Sequence, residues 1–388
     1  MTESTTIDGD VEPGFEAVAD AFAANFRDRG EVGAAVAAYV DGRKVIDLWG
    51  GLADPAAGRA WTADSVPILF SMTKGVSTIL ALRLVEQGLL DLDAPVATYW
   101  PEYGTAGKEH TTVRHLLSHR AGLPAVDGPV SWEDLADPSG MAARLAAQEP
   151  VFEPGTHHVY QAITFGWLVG EVIRRASGLS YGEALQREVV GPLGLDLWVG
   201  LPEEHEDRVA PIQPPDIPVE IIEAVMPEGS MPWRIMTLNG LMPVSIAGPG
   251  IGMNDRRWRA AEVPSANLMA TARSVARMYA ATIGEVDGVR LLQAETVADA
   301  TIVRSDGPQW DGNPDRPSWG TGFLLPFPRQ PQLGPRSFGH DGAGGPIGFA
   351  DPDRGVSFAH TLNQMQVHFE PDPRTTALVD AYRTCLDT

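Results

Sequence analysis

The chain has 388 residues, 44% of them hydrophobic and 21% charged, with a formal net charge of −22. That composition describes a globular protein with a large core, built as one large or two closely joined domains, and excludes a disordered chain. The acidic balance argues against nucleic-acid or anionic-membrane binding, which need basic patches, and is read as solubility. No apolar run reaches transmembrane length. The N-terminus, MTESTTIDGDVEPGFE, has neither the basic nor the apolar region of a signal peptide. Cys385 is the only cysteine, so an intrachain disulfide is excluded. Together these features point to the cytoplasm.

In chain order, FEAVADAFAANF (15–26) places Phe15, Val18, Ala19, Phe22 and Phe26 at helical spacing and predicts an amphipathic first helix. GAAVAAYV and KVIDLWG, joined by Asp41-Gly42, predict a β-hairpin with type I′ turn chemistry. An apolar helix is expected from Ser71 to about Gln87, with Gly88 as its C-cap. From about 110 to 300 helical patterns dominate, in TTVRHLLSH, MAARLAAQ, TFGWLVGEVIRRAS, YGEALQREVV and ATARSVARMYAATI. The stretch 211–264 is rich in Pro, Met, Gly and Trp and weakly periodic, which suggests a long loop or a lid. Strand character returns in WGTGFLLPF and in IGFADPDRGVSFAHTLNQM, a second hairpin turning at 352–355, before a last helix in DPRTTALVDAYRTCLD. Strands at both ends with helices between predict an α/β protein of the α+β type. Its antiparallel sheet is formed by both termini (1–100 and 301–388) and flanked by helices, with a helical domain (101–300) inserted.

Ser71 and Lys74 lie three apart on a helix and therefore share one face, a turn apart. The chain has three lysines, Lys44, Lys74 and Lys108, and this one lies among Met72, Val76, Ile79, Leu80, Leu84 and Val85. Burial and the positive end of the helix dipole both lower its pKa, toward a neutral amine able to take a proton from Ser71. Ser71 at the helix start also has a backbone N–H free to stabilise an oxyanion.

Other motifs read as structure. GLSYG (178–182) fits the G-x-S-x-G nucleophile pattern but follows a helix instead of a strand. Gly178 reads as a C-cap, and Ser180 with Glu183 as a capping box. His115 and His119 have the spacing of two metal ligands without a third, so core or capping roles are expected. EEHED (203–207) reads as a solvated acidic run. Met226, Met231, Met236, Met242 and Met253, with Trp233 and Trp258, line either an adaptable acyl or alcohol pocket or the core.

Several stretches in unbroken order over roughly 30–365 carry a resemblance: LWGGLAD, SMTKGV, LVEQGLLDLDAPVATYWPEY, TTVRHLLSHRAGLP, FEPGTHHVYQAITFGWLVGEVIRR, SANLMATARSVARMYA and FGHDGAGGPIGFADP. They resemble serine hydrolases of the penicillin-binding protein and class C β-lactamase fold. The family VIII carboxylesterases are the most similar subgroup, with D-aminopeptidases and acyltransferases as relatives. The resemblance implies that Tyr160 is the tyrosine of a Tyr-x-Asn or Tyr-x-Ser motif and shares the base role with Lys74, whose cation would favour tyrosinate. Ala162 departs from that motif, and Gln161 is the residue that could replace the missing polar contact to substrate. His340-Asp341-Gly342 stands where β-lactamases carry Lys-Thr-Gly, so His340 and Gly342 would border the substrate and Ala343 N–H would be the second oxyanion donor. A histidine without permanent charge is a poorer carboxylate anchor than lysine, which favours neutral esters over β-lactams. The implied activity is metal- and cofactor-free hydrolysis of small-molecule esters. A β-lactamase or D-amino-acid peptidase, or an inactive binding relative, are the alternatives.

Overall fold

Asp41 and Gly42 both take positive φ, 47° and 76°, the backbone that a type I′ turn requires. They join β2 (Gly33–Val40) to β3 (Arg43–Asp54), the first predicted hairpin. The second hairpin pairs β8 (Ile347–Asp351) with β9 (Val356–Leu362) around Gly355, whose φ is 68°. The two hairpins meet edge to edge, with Val356 opposite Val40 and Leu362 opposite Ala34. The computed structural model describes residues 5–245, 247–248, 250–314, 316–330, 334–368 and 370–388, so two positions of the stretch 211–264 lie outside it.

The remaining strands of this sheet are β1 (Ile7–Val11), β4 (Arg59–Ala60), β5 (Ser318–Trp319), β6 (Leu324–Leu325) and β7 (Phe338–Asp341). The order is β1-β3-β2-β9-β8-β7-β6-β5, with β4 paired to β3. The sheet is antiparallel throughout and is assembled from both chain ends, as expected.

Every residue of β9 is buried, because helices cover both faces of the sheet. On one face, α1 (Glu16–Asp28) and α7 (Pro373–Leu386) pack Phe22 and Tyr382 into one cluster with Phe349 and Phe358. On the other face, Ser357 Oγ donates to Ala276 O of α6 (Ala272–Ile283) at 2.7 Å. That helix falls inside the stretch 101–300, yet it packs on β2, β8 and β9.

Beyond α6 the main core surrounds α2 (Met72–Glu86), which is buried on every side from Met72 to Leu82. Its buried residues are mostly apolar but include Thr73, Lys74, Ser77 and Thr78, so it sits at the centre of the protein with no wet face. It packs against α5 (Thr164–Ser177) and against β7. Two shorter helices, α3 (Val113–Leu117) and α4 (Pro138–Ala147), lean on α5 from outside. No helix among the described residues is long and apolar enough to cross a membrane.

Three details differ from the sequence expectation. The polar N-terminus contributes β1, whose central residues Asp8, Gly9 and Asp10 are exposed while Ile7 and Val11 are half-buried at the sheet edge. WGTGFLLPF is two short strands and not one, because Gly322 turns the chain at a φ of 82° against Thr78 of α2. The stretch 211–264 contains short helices at Val219–Val225, Met231–Thr237 and Arg256–Ala260. Met242 and Met253 are buried there, and Trp258 is wholly enclosed.

Gly75 shows how tightly α2 is seated, since a Cβ at this position would collide with the Tyr279 hydroxyl of α6. Gly75→Ala should therefore destabilise the protein by about 1–3 kcal/mol through overpacking. Tyr279→Phe in the same background should recover part of that loss. Urea unfolding of the two single variants and the double variant tests this; additive effects would mean that the two residues do not meet.

Candidate active site

Phe70 is buried with a φ of 49°, a left-handed conformation that costs energy for a non-glycine residue. It turns the chain from an extended segment into α2 and leaves Ser71 at the N-cap. An N-cap serine ordinarily accepts a hydrogen bond from its own helix, but Ser71 makes none. The first-turn amides close on Leu69, Phe70 and Ser71 carbonyls instead. The Ser71 hydroxyl is taken up elsewhere: Tyr160 Oη donates to Ser71 Oγ at 2.6 Å, and Lys74 Nζ lies 3.3 Å from the same oxygen.

Lys74 is wholly buried. Its Nζ reaches Ala162 O at 2.7 Å and Ser265 O at 3.0 Å, and stands 4.8 Å from the centre of the Tyr160 ring. Burial lowers its pKa well below that of free lysine, against the weaker opposing pull of the Asp341 carboxylate. A neutral amine has two hydrogens and one lone pair. The two carbonyls take the hydrogens, and the lone pair is left for Ser71 Oγ.

Tyr160 is expected to share the base role, with the Lys74 cation favouring tyrosinate. Burial raises its pKa above the ordinary phenol value, and the hydrogen bond with Ser71 only partly offsets this. A lowered Lys74 pKa weakens the support that a lysine cation would give a tyrosinate. The phenol keeps its proton and donates it to Ser71, so the hydrogen bonds run from Tyr160 to Ser71 to Lys74.

The segment after β7 closes the site from the sheet side. A Cβ on Gly342 would meet Leu69 O at 2.5 Å, so only glycine allows this close approach to the chain just ahead of Ser71. Gly342 N donates to Pro346 O at 2.8 Å and Gly345 N to Gly342 O at 3.3 Å, a tight turn around Ala343. Among the described residues, neither Ser71 N–H nor Ala343 N–H donates to another protein group. Beside this turn is a cavity of about 200 Å³ bordered by Phe327, Gln330, Asp341 and Ala343.

The structure thus brings Ser71, Lys74, Tyr160, Gly342 and Ala343 together. His340 lies in the wall and is almost fully buried; its Nδ1 is 2.7 Å from Asp341 O, and its ring is 5.4 Å from that of Trp319. Burial lowers its pKa, so it is neutral near pH 7. Gln161 is enclosed, with Nε2 donating to Leu123 O at 3.4 Å, and position 162 contributes its backbone carbonyl to Lys74. Trp233 is half-buried over Gly240, and no hydrogen bond or ring contact joins it to Ser71, Lys74 or Tyr160 among the described residues.

The other motifs have structural partners. Ser180 and Glu183 form the expected capping box after Gly178 in left-handed conformation. His115 caps α3 reciprocally with Thr112, and His119 is in the core. No group of three or more His, Cys, Asp or Glu side chains that could hold a metal occurs among the described residues. In the acidic run, Glu206 pairs with Arg256 and Arg259. The sequence reading missed Ser265 and Trp319; the first acts through its carbonyl, which carries no side-chain signal, and the second by stacking on Tyr160 at 5.4 Å.

The depressed Lys74 pKa has a stability consequence of definite sign. Between its folded and unfolded values the unfolded chain binds the proton and the folded chain does not, so stability rises with pH. Over the pH range just below the ordinary lysine pKa of about 10.4, wild type should gain on Lys74→Met by up to about 1.4 kcal/mol per pH unit. Urea unfolding across that range tests this, and a flat difference would mean a lysine that stays protonated when folded.

Comparison with known proteins assigns the chain to a family. The family profile described as beta-lactamase matches residues 18–383. The esterase/beta-lactamase LipL of Mycobacterium tuberculosis (strain ATCC 25618 / H37Rv) is 36% identical over 374 residues, 92% of this chain and 83% of that protein. A family VIII carboxylesterase of known structure superposes with a TM-score of 0.88 at 37% identity, covering 98% of this chain and 100% of the other. A penicillin-binding protein homologue from Caulobacter crescentus gives 0.85 at 36% identity, covering 98% and 100%. With one family spanning nearly its whole length, the chain belongs to the beta-lactamase family.

Proposed function

We propose that this protein is a serine hydrolase of carboxylic esters that works through an acyl-enzyme on Ser71. The observation that carries the reading is the arrangement at Ser71 Oγ, which accepts from Tyr160 at 2.6 Å and faces the buried Lys74 amine at 3.3 Å. Ser71 attacks the ester carbonyl while its proton moves to Lys74 Nζ. The oxyanion forms between the N–H groups of Ser71 and Ala343. The alkoxide leaves with a proton returned from the Lys74–Tyr160 pair. Water then attacks the acyl carbonyl, giving a proton to the same amine, and the acyl C–Oγ bond breaks as that proton passes to Ser71 Oγ and the acid leaves.

Esters suit this site better than β-lactams. A neutral, buried His340 offers no fixed cation for a substrate carboxylate. The name of the family VIII carboxylesterase supports the same substrate class, and that of the esterase/beta-lactamase LipL includes it. A cytoplasmic setting belongs to the same proposal and rests on composition alone.

Ser71→Ala should abolish turnover and fluorophosphonate labelling with the fold intact. Ser180→Ala should lose only a helix cap, about 1 kcal/mol of stability, and keep its rate. Full activity in Ser71→Ala would overturn the reading. Lys74→Arg should be as damaging as Lys74→Ala, because a guanidinium stays protonated, and Tyr160→Phe should lose about 10²–10⁴-fold in kcat/KM. In the wild type the rate should rise with pH as Lys74 loses its proton, with a midpoint below that of free lysine. Short-chain p-nitrophenyl esters should exceed nitrocefin by at least about 10²-fold in kcat/KM, roughly 2.7 kcal/mol. Equal rates would replace the ester assignment with a β-lactamase one.

A further inference from the structure

Tyr160 lies in a stretch, 157–161, without helix or strand, so no backbone ladder fixes its direction. Three consecutive amides are nevertheless all engaged. Val159 N donates to His119 O at 3.1 Å, Tyr160 N to Gln309 Oε1 at 2.9 Å, and Gln161 N to His119 Nδ1 at 3.2 Å. We propose that His119, with Gln309, is a positioning residue that holds Tyr160 against Ser71 by gripping the backbone on both sides of it.

The features of His119 fit that task. It is wholly buried and left-handed, with a φ of 61°, and this conformation brings its carbonyl and its ring to bear on one short segment. Because Nδ1 accepts from Gln161 N, the ring proton belongs on Nε2, which fixes one tautomer. Burial lowers its pKa and keeps the ring neutral. Trp319 completes the support: it meets His119 edge-on at 4.5 Å and stacks on Tyr160 at 5.4 Å with an interplanar angle of 8°. The Tyr160 ring is therefore held between fixed neighbours while its hydroxyl lies 2.6 Å from Ser71 Oγ. A shift of about 1 Å in such a group costs on the order of 10²-fold in rate.

This inference rests on the ester-hydrolase reading, and its test separates the two. His119→Asn keeps an acceptor where Nδ1 was and tolerates left-handed backbone. His119→Gln moves the acceptor one bond outward, and Gln309→Met removes the acceptor for Tyr160 N. We expect His119→Gln and Gln309→Met to lower kcat on p-nitrophenyl butyrate by about 10–10²-fold with KM within about two-fold. His119→Asn should stay within about five-fold of wild type and leave the midpoint of the pH–rate curve in place. The proposal is overturned if His119→Asn is no better than His119→Gln, if Gln309→Met keeps full kcat, or if His119→Asn moves the midpoint by about one unit or more. Should both His119 variants fail to fold, Gln309→Met alone decides. Failure of the underlying reading looks different: the wild type itself would neither hydrolyse the ester nor label at Ser71.

Discussion

The arrangement turns on one costly placement, a lysine amine with no exposure to solvent. Left alone in an apolar core, an ammonium gives up its proton rather than remain charged. The Ala162 and Ser265 carbonyls accept from the amine in either protonation state, so loss of the proton leaves both of these hydrogen bonds in place. Those carbonyls come from segments remote in sequence, one just before α5 and the other just ahead of α6. The base at Ser71 therefore exists only in the folded chain.

The same placement explains why α2 is central. A helix with one wet face would let Lys74 snorkel to water and stay charged. Burial from Met72 to Leu82 closes that route. The closure depends on small contacts, such as Gly75 against Tyr279 and Gly322 against Thr78, which bring neighbouring elements close to the helix. The Asp341 carboxylate pulls in the opposite direction, and burial outweighs it. Lys74 is thus kept neutral by the whole core and not by one partner.

What was legible in the sequence was what is local. Asp41-Gly42 announces its turn, Ser180 and Glu183 announce their cap, and Ser71 and Lys74 announce a shared helix face. Tyr160 and Ala343 were reached only through resemblance over a long span. Three things were illegible for physical reasons. Backbone acceptors such as Ala162 O carry no residue signature. A histidine such as His119 looks the same whether it fills space or grips a neighbouring strand of chain. The protonation state of Tyr160 depends on how much water surrounds it, and burial raises its pKa, which favours the phenol over the expected tyrosinate.

A sheet made from both termini also has a use at the far side of the site. The turn that presents Ala343 N–H has no regular structure of its own, and α7 holds it from behind. Arg374 Nη2 donates to Gly344 O at 2.7 Å, and Thr375 Oγ1 donates to Gly345 O at 2.8 Å. Arg374 is itself wholly buried, paired with Asp372 at 2.7 Å and with Glu31, just ahead of β2, at 3.2 Å. Buried ion pairs add little to net stability, because desolvation cancels most of the attraction. What they supply is direction, since a planar guanidinium satisfies its carboxylates and carbonyls in few orientations. The first and last parts of the chain thus meet behind the glycine turn and restrict where Ala343 N–H can point. Preorganised donors contribute most to an oxyanion when they need not move as the charge develops. On this account Glu31, just ahead of the N-terminal hairpin, and the C-terminal helix support the turn on which the proposed oxyanion donor sits.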